Sequence, residues 1–155
     1  MPTFDIVEGQ DVQRLARIVT LDGTALIRTN IDVASGIKAY VYDRDHAEPG
    51  VNILSFGGGS PQTVASTTVN TSTTLTIDAK WDALDNEGYN FAHTIKDSHI
   101  TYQASREGTQ AAAGWRGGHS YLVEYVFDTD LSSTTTLSEG KLYLRAIYNC
   151  LSTSS

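Results

Sequence analysis

Alternation of apolar and polar residues with a period of two is the feature that most constrains how this chain can fold. It is clearest in three segments, Ile37–Tyr42, Tyr121–Phe127 and Lys141–Tyr148. Successive side chains of an extended strand point to opposite faces of a sheet, so each segment predicts a strand with one buried face. The 19 Thr and 8 Tyr among the 155 residues agree, because branched and planar side chains pack well on a pleated surface.

Turn residues such as Asp22-Gly23 and Asp85–Gly88 divide the chain into about seven or eight short extended segments, with no run of helices. This organisation predicts one all-β domain over residues 1–155, an antiparallel β-sandwich of the immunoglobulin-like or jelly-roll-like kind. We expect two parts to stand apart from the sandwich. They are a flexible arm at residues 1–10 and a long loop or insert at residues 96–118.

The charge balance excludes several classes of partner. The chain carries 11 basic and 18 acidic residues, a net charge of −7. Such a field repels phosphate backbones and anionic bilayers, so we expect neither a nucleic-acid nor a membrane partner.

The opening residues lack the pattern of a signal peptide, and no apolar run approaches the roughly 20 residues that span a bilayer.

The residue types that carry catalysis are scattered along the chain. No metal-ligand spacing, GxSxG elbow or phosphate-binding loop occurs, and the four histidines are isolated at His46, His93, His99 and His119. We expect His93 to be a packed imidazole with a satisfied hydrogen bond. Cys150, the only cysteine, cannot form an internal disulfide and is expected to be a buried or bystander thiol.

Acidic residues form two local clusters, Asp43-Asp45-Glu48 and Asp78-Asp82-Asp85-Glu87. Both are expected to be solvated loops, while a structural cation or a pair of glycosidase carboxylates stays open as an alternative. The sequence therefore predicts no catalytic residue, no metal site and no cofactor.

Residues for protein–protein contact are predicted in the loops. Trp115 and Arg116 stand among glycines, where an aromatic and an arginine could anchor a neighbouring protein. Asp43, Arg44 and His46, in the charged loop 43–50, are second choices, as is the Ser/Thr-rich loop 128–140. A carbohydrate platform is the competing interpretation of the rings, which are Trp81, Trp115, Tyr40, Tyr42 and Tyr102.

Several segments resemble proteins of tailed bacteriophages. Trp81, Asp85–Ile95 and Gly117–Phe127 look like small immunoglobulin-like proteins of those phages. The opening Phe4–Asp11, with the later Ile37–Tyr42, is similar to the N-terminal domain of phage upper-baseplate proteins. In that family an extended strand, a glycine, a polar residue and an aspartate lead into a sandwich that docks onto other virion proteins. Lys96–Arg116 has no counterpart in this resemblance.

The resemblance implies a non-enzymatic structural protein of the virion, made in the host cytoplasm. It would assemble at the neck or head–tail connector, or in the tail or baseplate, and its partners would be other virion proteins and further copies of itself. A capsid decoration protein is an alternative of the same class. A carbohydrate-binding adhesion module, with a glycan as its partner, is the alternative of a different class.

Overall fold

The computed structural model of the chain describes residues 1–20, 23, 25–33, 36–46, 50–54, 62–69, 89–101, 114–130 and 140–153. These residues contain short 3₁₀ turns but no α-helix, and none of their segments is a helix long and apolar enough to cross a bilayer. Their seven strands are β1 (Thr3–Val7), β2 (Val12–Ala16), β3 (Ile37–Asp43), β4 (Gln62–Val64), β5 (Phe91–Ile95), β6 (Ser120–Asp128) and β7 (Lys141–Leu151).

The strands form two sheets. One has five strands in the order β1-β7-β6-β3-β4, and the other consists of β2 and β5. Phe91 of β5 packs edge-on against Tyr125 and Phe127 of β6, with ring centroids 5.0 Å apart in both pairs. These contacts join the inner faces of the two sheets. The predicted all-β sandwich is confirmed.

The period-two segments lie where the sequence predicts strands. In β3 the side chains of Ile37, Ala39 and Val41 are fully buried, while the residues between them are half-buried. β6 shows the same alternation, and its Tyr121–Phe127 segment pairs with both β3 and β7. The antiparallel hairpin of β6 and β7 is therefore also confirmed.

The first strand corrects two expectations. β1 pairs with β7 in parallel, so the five-stranded sheet is mixed rather than wholly antiparallel. Residues 3–7, which were expected to belong to a flexible arm, instead form the edge of this sheet. Ile6 is buried in the core, and burying this side chain together with the main-chain pairing to β7 favours the docked strand.

Candidate interaction surface

Trp115 is not an exposed anchor. Its side chain is only 2% exposed, and its ring packs edge-on against Tyr121 with the centroids 4.9 Å apart. Its main-chain N–H donates to Asp97 Oδ1 at 2.9 Å, which fixes the segment to the 3₁₀ turn Asp97–His99. The expectation that Trp115 stands exposed on a loop is therefore wrong, because the ring is part of the core.

Glycines bring this segment into the domain. Gly114 has a φ of +93°, and a Cβ placed there would lie 2.8 Å from Asp97 Oδ2. Gly117 lies so close to the end of the chain that its Cβ would be 2.7 Å from the Cα of Ser152. The flanking glycines that suggest a free loop are thus required for close backbone approach. They allow Trp115 to lie in the core.

The other predicted contact residues gather where β3 ends and β6 begins. Asp43 is 1% exposed, and its carboxylate lies 2.7 Å from His119 Nδ1 and accepts from the Asp45 N–H at 2.9 Å. The Asp45 carboxylate in turn accepts from the Ser120 N–H at 2.6 Å. These bonds tie the two strands together, so the expectation that Asp43 is a solvated loop residue is also wrong.

Arg44 and His46 lie beside this cluster, and Arg116 lies in the neighbouring segment. Arg44 is exposed, with its guanidinium 3.3 Å from Ser120 Oγ, while His46 and Arg116 are half-buried. The main-chain N–H of Arg116 donates to the Tyr121 hydroxyl at 2.7 Å. Of the five predicted contact residues, Arg44 alone presents a largely open side chain.

The pairing of buried Asp43 with His119 resembles two members of a hydrolase triad. Within the described part of the chain, however, no hydroxyl or thiol is hydrogen-bonded to the other ring nitrogen of His119. No group of three or more His, Cys, Asp and Glu side chains that could hold a metal occurs in the same residues. The contact between Asp43 and His119 therefore joins the end of β3 to the residue that precedes β6.

His93 and Cys150 behave as the sequence predicts. His93 Nδ1 lies 2.8 Å from the Tyr125 hydroxyl, and burial lowers the pKa of its imidazole to about 4, with a smaller effect from His99. Cys150 is buried, and this burial, helped by Glu8 and Asp97, raises the pKa of its thiol to about 11. Trp81, Tyr102 and the acidic cluster at residues 78–87 lie outside the described residues.

On the outer face of the five-stranded sheet, sequence reasoning named the rings of Tyr40 and Tyr42 but missed the surface that they form with other residues. It is formed by side chains that point away from the core, and most are aromatic or aliphatic. Three rows cross β3, β6 and β7 in register: Tyr42–Leu122–Ile147, Tyr40–Glu124–Arg145 and Lys38–Val126–Tyr143. We refer to these nine residues as the outer face.

One ion pair lies at the centre of the outer face. Arg145 pairs with Glu124 across the strands, and its guanidinium lies 5.0 Å from the ring centroid of Tyr143. Tyr40 and Tyr42 are parallel to within 7°, with their centroids 6.1 Å apart. Burial and the Glu124 carboxylate raise the pKa of Tyr42. The face therefore combines fixed rings and a fixed cation on a rigid sheet.

A signal for this face is present in the sequence. The residues between the core positions of β6 and β7 include Leu122, Val126, Tyr143 and Ile147, where a solvated face would carry polar side chains. Alternation identifies the inner face because it compares each residue only with its neighbours along the same strand. The register that aligns the outward residues of three strands appears only in the folded sheet.

A cleft of about 490 Å³ opens between β1 and β2, at the edge where the two sheets separate. The Arg14 guanidinium lies in its wall, 4.8 Å from the ring centroid of Phe4, and donates to the Leu15 carbonyl at 3.0 Å. Phe4 remains 39% exposed despite this contact and its edge-on packing against Tyr148. Among the described residues, the β1 edge of the five-stranded sheet therefore leaves an apolar ring partly exposed beside a cleft.

The fold and these surfaces define an all-β sandwich whose larger sheet presents an aromatic and aliphatic outer face. No protein-family model, curated protein or solved structure matches this chain.

Proposed function

We propose that this protein is a non-enzymatic structural component that binds other proteins through its outer face, within the particle of a tailed bacteriophage. The observation that carries the proposal is the composition of the outer face. Aromatic rings, aliphatic side chains and a central arginine lie on three adjacent strands, and an apolar surface of this kind is typical of protein–protein contact sites.

The geometry supports tight packing of a partner. Tyrosine and arginine dominate binding energies at many interfaces, because they bury much surface for few rotatable bonds. Here Arg145 is already held by Glu124 and Tyr143, so little conformational entropy is lost when a partner covers it. Rigid side chains on a sheet also repeat identically in every copy, as a symmetric particle requires.

The phage setting rests on the sequence resemblance of Asp85–Ile95, Gly117–Phe127 and the opening strand. We place the protein at the neck or head–tail connector, or in the tail or baseplate, with capsid decoration as the alternative position. The net charge of −7 is compatible with each place, because it disfavours adhesion to packaged DNA.

The test is a particle assay in the phage whose genome encodes the chain. Particles are purified on a density gradient, and the protein is counted by quantitative peptide mass spectrometry. We expect about one or two rings of copies for the wild type and at least a tenfold loss for a Tyr143→Ser, Arg145→Ser variant. Val33→Ser is the matched control, because Val33 is fully exposed and lies outside the outer face.

Each outcome has a clear meaning. Absence of the wild-type protein from particles overturns the proposal, and so does unchanged incorporation of the outer-face variant. Hundreds of copies per particle would indicate that the protein lies on the capsid surface and not in the neck or tail.

Carbohydrate binding is a second candidate, and one observation favours it. Tyr40 and Tyr42 present parallel rings 6.1 Å apart on an outward-pointing face, where sugar rings could stack. Titration with glycans of the host surface tests this. Binding that is lost in both Tyr40→Ala and Tyr42→Ala would support it, whereas no binding by the wild type would exclude it.

A further inference from the structure

β1 offers main-chain groups that its own sheet does not use. The Ile147 N–H donates to the Pro2 carbonyl at 2.9 Å, and the Glu8 N–H donates to the Leu151 carbonyl at 3.0 Å. In a parallel pair, the main-chain groups of alternate residues point toward the neighbouring strand. The N–H and C=O groups of Phe4 and Ile6 therefore also point toward β7. The N–H and C=O groups of Thr3 and Asp5 therefore point away from β7, on a side where no described strand lies.

This edge also exposes apolar side chains. Met1 is 71% exposed, Leu151 51%, and Phe4 and Val7 39% each. Natural edge strands are commonly protected by lysine, proline or a bulge. Thr3–Val7, all of which the structure describes, contains none of these and carries a single charge, at Asp5. An open strand of this kind pairs readily with another strand.

We propose that the partner of this edge is β1 of a second copy of the chain, paired antiparallel across a two-fold axis. The register places Phe4 opposite Phe4 of the second copy, and Thr3 opposite Asp5 of the second copy. About four main-chain hydrogen bonds then form between the outward groups of Thr3 and Asp5. This inference extends the proposed function and rests on it, since it supplies the self-association of a structural component.

Side-chain complementarity selects this register. It aligns Met1 with Val7 of the second copy, two apolar side chains that are exposed in the single chain. It also lets the Thr3 hydroxyl donate to the Asp5 carboxylate of the second copy. A shift that centres the two-fold axis on Asp5 would place two carboxylates directly opposite each other, which is destabilising.

The cleft between β1 and β2 accommodates the new contact. Phe4 lies in its wall beneath the Arg14 guanidinium, and the cleft volume of about 490 Å³ exceeds that of a phenyl ring. In the proposed pair, Phe4 of the second copy lies beside Phe4, on the same inner side of the extended sheet. Two partly exposed rings are thereby covered together, which favours association.

The test uses charge at Thr3, an exposed position whose side chain does not enter the core. Sedimentation equilibrium on the full chain between about 10 μM and 1 mM gives the dimer dissociation constant. Thr3→Lys, facing Asp5 of the second copy, should tighten the dimer about fivefold, and Thr3→Asp should weaken it about fivefold. Thr29→Lys and Thr29→Asp are the matched controls, because they change the net charge equally at an exposed position outside β1.

The outcomes separate this inference from the proposed function. A dimer that responds to the Thr3 variants, more than to the Thr29 variants, supports β1 pairing. A chain that stays monomeric up to 1 mM overturns β1 pairing. Self-association whose dissociation constant does not change with the charge placed at Thr3 overturns it as well. The Tyr143→Ser, Arg145→Ser variant should keep the wild-type dissociation constant, so loss of particle incorporation in that variant reports on the outer face alone.

Discussion

Buried polar groups decide how individual residues pack in this core. The Asn90 amide donates to the carbonyls of Ile18 and Leu26, and its oxygen accepts from the Ile18 N–H at 2.7 Å. Asn52 accepts from the N–H groups of Val41 and Leu54. A buried amide that satisfies main-chain groups substitutes for missing strand pairing, so these two asparagines hold irregular segments in place.

His93 makes the stability of the fold depend on pH. The pKa of its imidazole is about 4 in the folded protein, against about 6.5 in an unfolded chain, so only the unfolded state binds a proton between these values. The free energy of unfolding therefore falls as the pH drops from about 6.5 to about 4. Because the ring is half-buried and partly screened by water, we expect this loss to be about 1–2 kcal/mol.

His93→Gln removes the titrating group and retains a side chain that can bond the Tyr125 hydroxyl. Urea unfolding at several pH values between 4 and 7 should show a flatter dependence for this variant than for the wild type. Identical slopes would mean that His93 is protonated in the folded protein as readily as in the unfolded chain.

Trp115 contributes to stability through packing alone. Trp115→Ala should cost about 3–5 kcal/mol, because it leaves a cavity against Tyr121 and Tyr148. Trp115→Phe should cost clearly less, because the buried indole Nε1 has no hydrogen-bond partner in the described structure. Denaturant unfolding measures both, with Val33→Ser as the exposed control, expected within about 0.5 kcal/mol of the wild type. A neutral Trp115→Ala would contradict the buried position of this ring.

At the scale of secondary-structure elements, β1 is the strand whose placement matters most for the surfaces described above. It covers one edge of β7, and no other described strand pairs with its second edge. The turn after it is closed by the Gln10 N–H, which donates to the Val7 carbonyl at 3.1 Å, and Gly9 has a φ of +82° there. This turn carries the chain directly from the edge of the larger sheet to β2 of the smaller one.

Amide hydrogen exchange should therefore alternate along β1. In dilute solution the N–H groups of Phe4, Ile6 and Glu8, which face β7, should exchange slowly, and those of Thr3 and Asp5 should exchange fast. Nuclear magnetic resonance resolves the individual amides. Uniformly fast exchange would show that β1 is not docked on β7, and uniformly slow exchange would show that another segment covers the edge.

For the whole molecule, the excess of acidic residues opposes self-association. Each copy carries a net charge of −7, so two copies repel each other until salt screens the field. Raising the ionic strength from about 0.05 M to 0.5 M should tighten the dimer several-fold, as measured by sedimentation equilibrium. The effect should be smaller for Thr3→Lys, because salt also weakens the new ion pair that this variant forms. A wild-type dimer that loosens with salt would indicate that attraction between opposite charges dominates its interface.

The sequence by itself determined the strands whose pattern is local. β3, β6 and β7 follow from alternation, since a period of two depends only on neighbours along the chain. The packed His93 could also be predicted, because it shares a strand face with Phe91 and Ile95, whereas the sequence left open whether Cys150 is buried. Tertiary structure alone decided the burial of Trp115, the parallel docking of β1 and the outer face. Each depends on residues far apart in sequence, such as Ser152 against Gly117 and Ile147 against Pro2, whose contact no local pattern encodes.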